Sequence, residues 1–201
     1  MPGEPLSTTD EVGAFQKSIS APTAFAAASD LIQPGLERTC LYGDNPVGDT
    51  GKAPLTHAAL SKFVQDFDLR QFGIGRGDTV CTYFPNGAEA AVCFWAISNQ
   101  CVFAPLNPRL TVPEVEFELV DLPCHTMILM AGEASNESLT ARCRQHNVRV
   151  LMLTPSKTTI GLFSLASDDA TAPAPASAGT AARDVALVLH TSGTTKKPKI
   201  V

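Results

Sequence analysis

The feature that most constrains the fold is an alternation of short apolar runs with helix-length segments between residues 56 and 154. The apolar runs predict strands at 78–84, 101–107, 125–130 and 148–154. Parallel strands need crossover connections of about a dozen residues or more, and the intervening segments fit that need. The expected fold class is therefore α/β, with a mostly parallel sheet and flanking helices.

The first helix is predicted from Thr56 onward. Leu60, Phe63, Val64 and Phe67 recur at the spacing of a single apolar helix face. A face of this kind is expected to pack on the sheet. A further helical segment is predicted at 137–147, between the last two strands of the alternation.

The segment 85–99 is apolar on nearly every side, which predicts a buried helix. Asn86 is followed three residues later by Glu89, the spacing of a capping box. The two residues therefore predict a helix that starts with Asn86 as its N-cap.

The segment 111–121 carries two conflicting signals. Its alternation of Val, Glu and Phe has the period of a strand. Thr111 and Glu114 have capping-box spacing, and Pro113 is tolerated in a first helical turn. The start signals favour a helix.

The chain divides into four parts on composition and pattern. Residues 1–54 form a lead-in and loop, and 55–163 an α/β part. Residues 164–183 are rich in Ala, Pro and Ser without periodicity, which predicts a flexible linker. Residues 184–201 hold a final strand and a loop, and the run "VALVL" at 185–189 predicts a strand covered on both faces.

Composition excludes several classes of partner. The net charge of −5 gives no general attraction for nucleic acid or anionic membranes. No apolar stretch is long enough to span a bilayer, so no membrane insertion is expected. The first residues lack the basic region and apolar core of a secretory signal, which predicts an intracellular protein. Nothing in the pattern indicates an oligomeric state.

The cysteines form no CxxC pair, and several lie in apolar runs. They are interpreted as small buried hydrophobes in a reducing compartment, and no metal site is assigned. The residues concerned are Cys40, Cys81, Cys93, Cys101, Cys124 and Cys143.

The stretch "HTSGTTKKPK" at 190–199 contains the candidate binding residues, and it directly follows the apolar run at 185–189. A glycine lets the backbone approach an anion closely, so that successive N–H groups can converge on it. Hydroxyls add donors and a lysine adds charge, whereas a bare run of such residues is also typical of a solvated turn. The ordered string of apolar strand, TSGTT, two variable residues and Pro-Lys favours phosphate binding by Thr191, Ser192, Gly193, Thr194, Thr195 and Lys199.

This string resembles the phosphate-loop signature of the adenylate-forming (AMP-binding) superfamily, usually TSGTTGxPKG. That superfamily includes acyl-CoA synthetases, adenylation domains of peptide synthetases and luciferases. Sequences of this family are also similar to three upstream stretches, "GIGRGDTV", "YFPNGAEAAVCFWAI" and "APLNPRLTVPEVEFELVD". The likeness covers roughly 55–201 apart from the linker, and looks most like the oxalate–CoA ligase branch.

The resemblance implies an acid–thiol ligase that uses ATP, Mg²⁺ and a small-molecule carboxylate, with coenzyme A as co-substrate. The six loop residues named above would contact the ATP phosphates. The fold implied is part of the N-terminal domain of an adenylate-forming enzyme. The expected location is cytoplasmic or peroxisomal.

The chain departs from the family pattern in two ways. Lys196 and Ile200 stand where glycines are usual, and a left-handed backbone at position 196 would cost a non-glycine about 1–2 kcal/mol. Family members are also more than twice as long. An N-terminal fragment that is inactive alone is therefore expected, with no catalytic residue assigned. A stand-alone nucleotide-binding or interaction module is the alternative, and a Walker-type NTPase is disfavoured because Gly51-Lys52 lacks the motif's other residues.

Overall fold

The structure, a computed structural model, describes residues 32, 35–41, 51–167, 181, 184–191 and 199–200. Of Thr191 and Lys199 it describes the backbone only. The predicted lead-in and linker therefore lie largely outside the described residues. The division into four parts remains a prediction.

A central five-stranded sheet organises the described residues. Its strands lie in the spatial order β4 (Val102–Pro105), β3 (Thr79–Tyr83), β5 (Thr126–Met130), β6 (Arg149–Pro155) and β7 (Phe163–Ala166). The first four strands of this sheet run parallel, and the last pairs antiparallel with β6. A separate antiparallel pair precedes the sheet and another follows it. These two pairs consist of β1 (Thr39–Leu41) with β2 (Leu55–Thr56) and of β8 (His190–Thr191) with β9 (Lys199–Ile200).

Four α-helices cover the two faces of the sheet within the described ranges: α1 (His57–Asp66), α2 (Ala88–Ser98), α3 (Val112–Asp121) and α4 (Asn136–Gln145). Val80 of β3 packs into one core with residues of α1 and α2. Its neighbour Cys81 packs into a second core with residues of α3 and α4. Successive strand residues thus point to opposite buried faces, which explains the continuously apolar runs. The predicted α/β class with a mostly parallel sheet is confirmed.

The apolar face predicted for the first helix is confirmed in α1. Leu60 and Val64 are buried in the core on that side of the sheet. Phe63 and Phe67 are half-buried and contact Phe163 of β7 edge-on, with ring centroids 5.1 and 5.6 Å away. This aromatic cluster ties α1 to the antiparallel edge of the sheet.

The predicted capping box at Asn86 is wrong, although the buried helix is present as α2. The helix begins at Ala88, and its N-cap is Gly87, which makes no side-chain capping bond. The start lies one residue later than Asn86 would require as N-cap. Val92, Cys93 and other residues along α2 are fully buried, so packing and not the cap defines this helix.

The ambiguous segment forms the helix α3, as the start signals predicted. The Thr111 backbone N–H donates to Glu114 Oε2 at 2.7 Å, and Pro113 lies in the first turn. The local capping geometry prevails over the strand-like alternation, because it satisfies donors that a helix start leaves free.

Two predictions near the end of the chain need correction. The predicted linker begins at residue 164, but β7 pairs with β6 through Ala166. The run at 185–189 is predicted to be covered on both faces. Val185, Leu187 and Leu189 are instead exposed, at 58%, 38% and 41%. These alternate side chains have no covering layer among the described residues.

The interpretation of the cysteines as buried hydrophobes is confirmed for five of the six, Cys40 being half-buried, and all six are free thiols. Burial raises the pKa of Cys101 to about 12, so this thiol stays protonated at neutral pH. Among the described helices, none has the length and apolar character needed to cross a membrane.

Candidate functional site

The segment 184–191, which we call the approach segment, leads into the predicted phosphate loop. The Phe103 N–H donates to the Ala186 carbonyl at 3.0 Å, and the Val188 N–H donates to the Phe103 carbonyl at 2.9 Å. The segment therefore runs parallel to β4 along the edge of the sheet. It runs towards the edge where the parallel strands have their carboxyl ends. Open α/β sheets bind ligands at that edge.

The start of the approach segment is held by a bidentate ion pair. Arg76, in the turn before β3, donates to both carboxylate oxygens of Asp184 at 2.7 Å. The hydrogen bonds from this guanidinium lower the pKa of Asp184. The pair joins two parts of the chain that are distant in sequence. It holds the start of the approach segment against the turn before β3.

Replacing Arg76 by Met is expected to loosen the approach segment, with faster hydrogen exchange at the Val188 amide. Because the pKa of Asp184 is lowered in the folded state, the pair stabilises above the unfolded pKa and is lost as pH falls through the folded pKa. The ratio of variant to unchanged exchange rates should therefore stay constant above about pH 4, the ordinary pKa of an aspartate, and fall towards one as the pH drops below it. Amide exchange followed by NMR at matched pH measures this ratio.

Arg70→Met is the matched control, because Arg70 pairs with Asp68 only two residues away, at 2.8 Å. Its loss should leave the Val188 amide unaffected. Equal acceleration in both variants would contradict a tether at Arg76.

The end of the approach segment lies against the last turn of α3. The Nδ1 atom of His190 is 3.5 Å from Glu118 Oε2, and Nε2 is 3.6 Å from Asp121 Oδ2. The side chains of His190 and Glu118 are only 7% and 6% exposed, whereas that of Asp121 is 42% exposed. Burial raises the pKa of Glu118, and His190 partly offsets this effect.

The predicted loop is closed at its base by β8 and β9. Thr191 pairs with Lys199, and His190 pairs with Ile200, in antiparallel register. The two outer members of the predicted phosphate-binding set therefore lie side by side in the backbone. Ser192, Gly193, Thr194 and Thr195 lie outside the described residues. The structure thus brings together the ends of the predicted site.

The structure describes one of the two residues that stand where the family motif usually has glycine. Ile200 lies in β9 with its side chain 45% exposed, and it is not among the described residues with positive φ. Its backbone is therefore one that any residue adopts, and no glycine is needed there. Lys196 lies outside the described residues.

The reasoning from sequence missed the side chains that hold the approach segment: Arg76, Glu118, Asp121 and Asp184. Each pairs with a residue distant in the chain, so local spacing carries no trace of the contact. The one available signal was His190 itself, a titratable side chain ending an otherwise apolar run.

These features define an α/β domain whose approach segment runs towards the carboxyl edge of a parallel sheet and continues in sequence into the predicted phosphate loop. The sequence profile of the family described as AMP-binding enzyme matches residues 38–201. The chain therefore belongs to the AMP-binding enzyme family, and the predicted resemblance to adenylate-forming enzymes is confirmed.

Two curated relatives are CoA ligases by name. The probable CoA ligase CCL9 of Humulus lupulus is 34% identical over 155 residues, which are 75% of this chain and 29% of that protein. The oxalate–CoA ligase of Arabidopsis thaliana is 31% identical over 155 residues, which are 75% of this chain and 30% of that protein. The chain thus spans about three tenths of the length of these relatives.

Solved structures share the fold. An anthranilate CoA ligase, AuaEII, in complex with anthranoyl-AMP, superposes with a TM-score of 0.64 at 17% identity, over 90% of this chain and 34% of that one. ATP-bound MatB from Rhodopseudomonas palustris gives 0.53 at 23% identity, over 77% of this chain and 32% of that one. At these identities the likeness concerns the fold alone.

Proposed function

We propose that this chain carries the triphosphate-binding part of an ATP-dependent carboxylate–CoA ligase. The observation that carries the proposal is the β8–β9 register, which sets Thr191 opposite Lys199 at the base of the family's phosphate-loop sequence. Family membership supplies the context. In the proposed reaction, a carboxylate oxygen attacks the α-phosphorus of ATP and pyrophosphate leaves. The thiol of coenzyme A then attacks the acyl carbon of the acyl-adenylate, and AMP leaves.

The role proposed for this chain is to hold and orient the β- and γ-phosphates. Backbone N–H groups around Gly193 and the hydroxyls of Thr191, Ser192, Thr194 and Thr195 would donate to phosphate oxygens. The Lys199 ammonium would add a charge-assisted bond, worth about 1.5–3 kcal/mol. Fixing the leaving pyrophosphate in this way orients it opposite the attacking carboxylate.

Mg²⁺ is proposed to arrive bound to the nucleotide. The described part of the chain contains no group of three His, Cys, Asp or Glu side chains able to hold a metal ion. Mg²⁺ is commonly bound through substrate phosphates and water with few protein ligands. No residue of this chain is therefore assigned as a metal ligand.

The proposed carboxylate is oxalate. This finer assignment is supported by the 31% identity to the Arabidopsis thaliana oxalate–CoA ligase and by the "HTSGTT" and "PLNPRLTVPEVEFEL" stretches. Other relatives are named for other acids, including feruloyl-CoA synthases and a long-chain-fatty-acid–CoA ligase. The competing substrates for a test are therefore ferulate and a long-chain fatty acid. A cytoplasmic or peroxisomal location belongs to the same proposal.

The 201-residue chain alone is proposed to bind nucleotide without catalysing adenylation, because it spans about three tenths of its relatives' length. A stand-alone nucleotide-binding module is the second candidate. The two candidates differ in whether the sequence acts within a larger ligase.

Calorimetric titration with MgATP, together with carboxylate-dependent exchange of labelled pyrophosphate into ATP, tests the proposal. We expect the chain to bind MgATP and to show no exchange. Restoration of oxalate-dependent exchange by adding the remaining two thirds of a related ligase as a separate polypeptide would support the ligase role. Binding without any restored exchange would favour the stand-alone module. No heat at millimolar MgATP would contradict both candidates.

A further inference from the structure

Two carboxylates in the last turn of α3 face a single histidine from opposite edges of its ring. Glu118 Oε2 is 3.5 Å from Nδ1 of His190, and Asp121 Oδ2 is 3.6 Å from Nε2. Glu118 and His190 are nearly inaccessible to solvent, and neither Glu118 Oε2 nor His190 Nε2 has a hydrogen-bond partner in the described part of the chain, so these contacts are charge contacts and not hydrogen bonds. The ring thus lies between two carboxylates of one helix, at ion-pair distance from each.

This arrangement is an unfavourable way to stabilise a fold. The C-terminal end of a helix carries a partial negative charge, which disfavours carboxylates there. Burial adds a desolvation cost to ionised Glu118, and the raised pKa of this group reflects that cost. The pair with His190 offsets part of the cost. The arrangement therefore calls for an explanation other than the stability of α3.

A metal site does not explain the cluster. Donors to one ion must converge on a point, whereas these carboxylates approach opposite edges of the imidazole. The three side chains also do not form a group able to hold a metal ion.

The position of His190 in the chain gives the explanation. It lies immediately before Thr191, the first residue of the predicted phosphate-binding set. The nearest preceding backbone bond to the sheet is made by Val188, and β8 itself is only two residues long. The contact with α3 is therefore the described side-chain constraint closest to the start of the loop.

We propose that Glu118 and Asp121 are positioning residues that fix His190, and with it the first residue of the phosphate loop. The inference rests on the proposed function, since it assigns these residues a role in triphosphate binding. They act through the backbone of β8 and do not contact the phosphates.

The test compares Glu118→Gln with Glu116→Gln by titrating each variant of the 201-residue chain with inorganic tripolyphosphate. Glu116 is the control because it also pairs with a histidine from the same helix, in a more exposed hydrogen bond that Arg142 supplements. It lies 3.0 Å from His146, the residue that follows α4. Glu118→Gln is expected to weaken binding about tenfold, and Glu116→Gln to leave it unchanged.

Urea unfolding of the same variants separates positioning from plain stabilisation. Glutamine keeps the shape of Glu118 and removes the desolvation cost, so Glu118→Gln should not lower stability. A loss of stability with unchanged affinity would show a structural role and overturn the inference. Glu118→Asp, which retains the charge, should recover part of the affinity.

A double-variant cycle with His190→Gln supplies a second readout. If the pair acts as a unit, Glu118→Gln combined with His190→Gln should weaken binding by less than the product of the two single effects. Should Glu118→Gln fail to fold, Asp121→Asn at the more exposed end of the cluster replaces it, with a smaller loss of affinity expected. Unchanged affinity in Asp121→Asn would then overturn the inference.

The outcomes distinguish the positioning role from the proposed function. An unchanged chain that binds no tripolyphosphate overturns the proposed function, and the positioning role with it. An unchanged chain that binds, together with a Glu118→Gln variant that binds equally well, overturns the positioning role alone.

Discussion

The Lys199→Met variant is expected to bind inorganic tripolyphosphate about 30-fold more weakly than the unchanged chain, because a charge-assisted hydrogen bond contributes about 2 kcal/mol. Lys199 lies opposite Thr191 in the β8–β9 ladder, at the closing end of the predicted loop. Methionine keeps an unbranched apolar stem of similar length and removes the ammonium. Isothermal titration at low ionic strength measures the change, since salt screens exposed charges.

Lys157→Met is the control, because Lys157 is an exposed lysine in the connection between β6 and β7. It alters net charge by the same amount at a distance from the predicted loop in sequence. Equal weakening in both variants would indicate general attraction of the anion to positive charge. Unchanged binding in Lys199→Met would remove this lysine from the predicted phosphate-binding set.

Most of the central sheet could be predicted from sequence because its strands are buried on both faces. Val80 and Cys81 enter different cores, so apolar side chains are favoured at both positions and the run stands out. α3 could be predicted because Thr111 and Glu114 satisfy each other's backbone within one turn. These signals come from residues within one strand or one helical turn, so they can be seen directly in the sequence.

The features that escaped prediction depend on contacts between distant parts of the chain. Residues 163–166 pair with β6 as an antiparallel strand, and no local pattern predicts this pairing. The aromatic contacts of Phe163 come from α1, which is distant in sequence. Asn86 has the chemistry of an N-cap, but packing of α2 sets the helix start beyond it. The contact between α3 and His190 likewise forms only after β4, α3 and the approach segment have packed together.

Gly161 is a position where a larger side chain is expected to destabilise the fold, because it packs against a helix that is distant in sequence. Gly161 has φ of +77°, and a Cβ there would lie 3.0 Å from Val92 Cγ2 and 3.3 Å from the Ala88 carbonyl oxygen. Gly161→Ala should therefore lower the free energy of unfolding by about 3 kcal/mol. About 1–2 kcal/mol arises from the left-handed backbone, and the rest from overpacking against α2. Urea unfolding followed by the fluorescence of the single tryptophan measures the loss.

Gly132→Ala separates the two contributions, because Gly132 has φ of +89° and a Cβ there would meet no atom within 4 Å beyond its chain neighbours. It should lose about 1–2 kcal/mol, the backbone contribution alone. Adding Val92→Ala to Gly161→Ala removes the nearest contact, so the double variant should lose less than the sum of the singles. Equal losses in Gly161→Ala and Gly132→Ala would mean that α2 yields to the added methyl group. The turn between β6 and β7 would then not be held tightly against that helix.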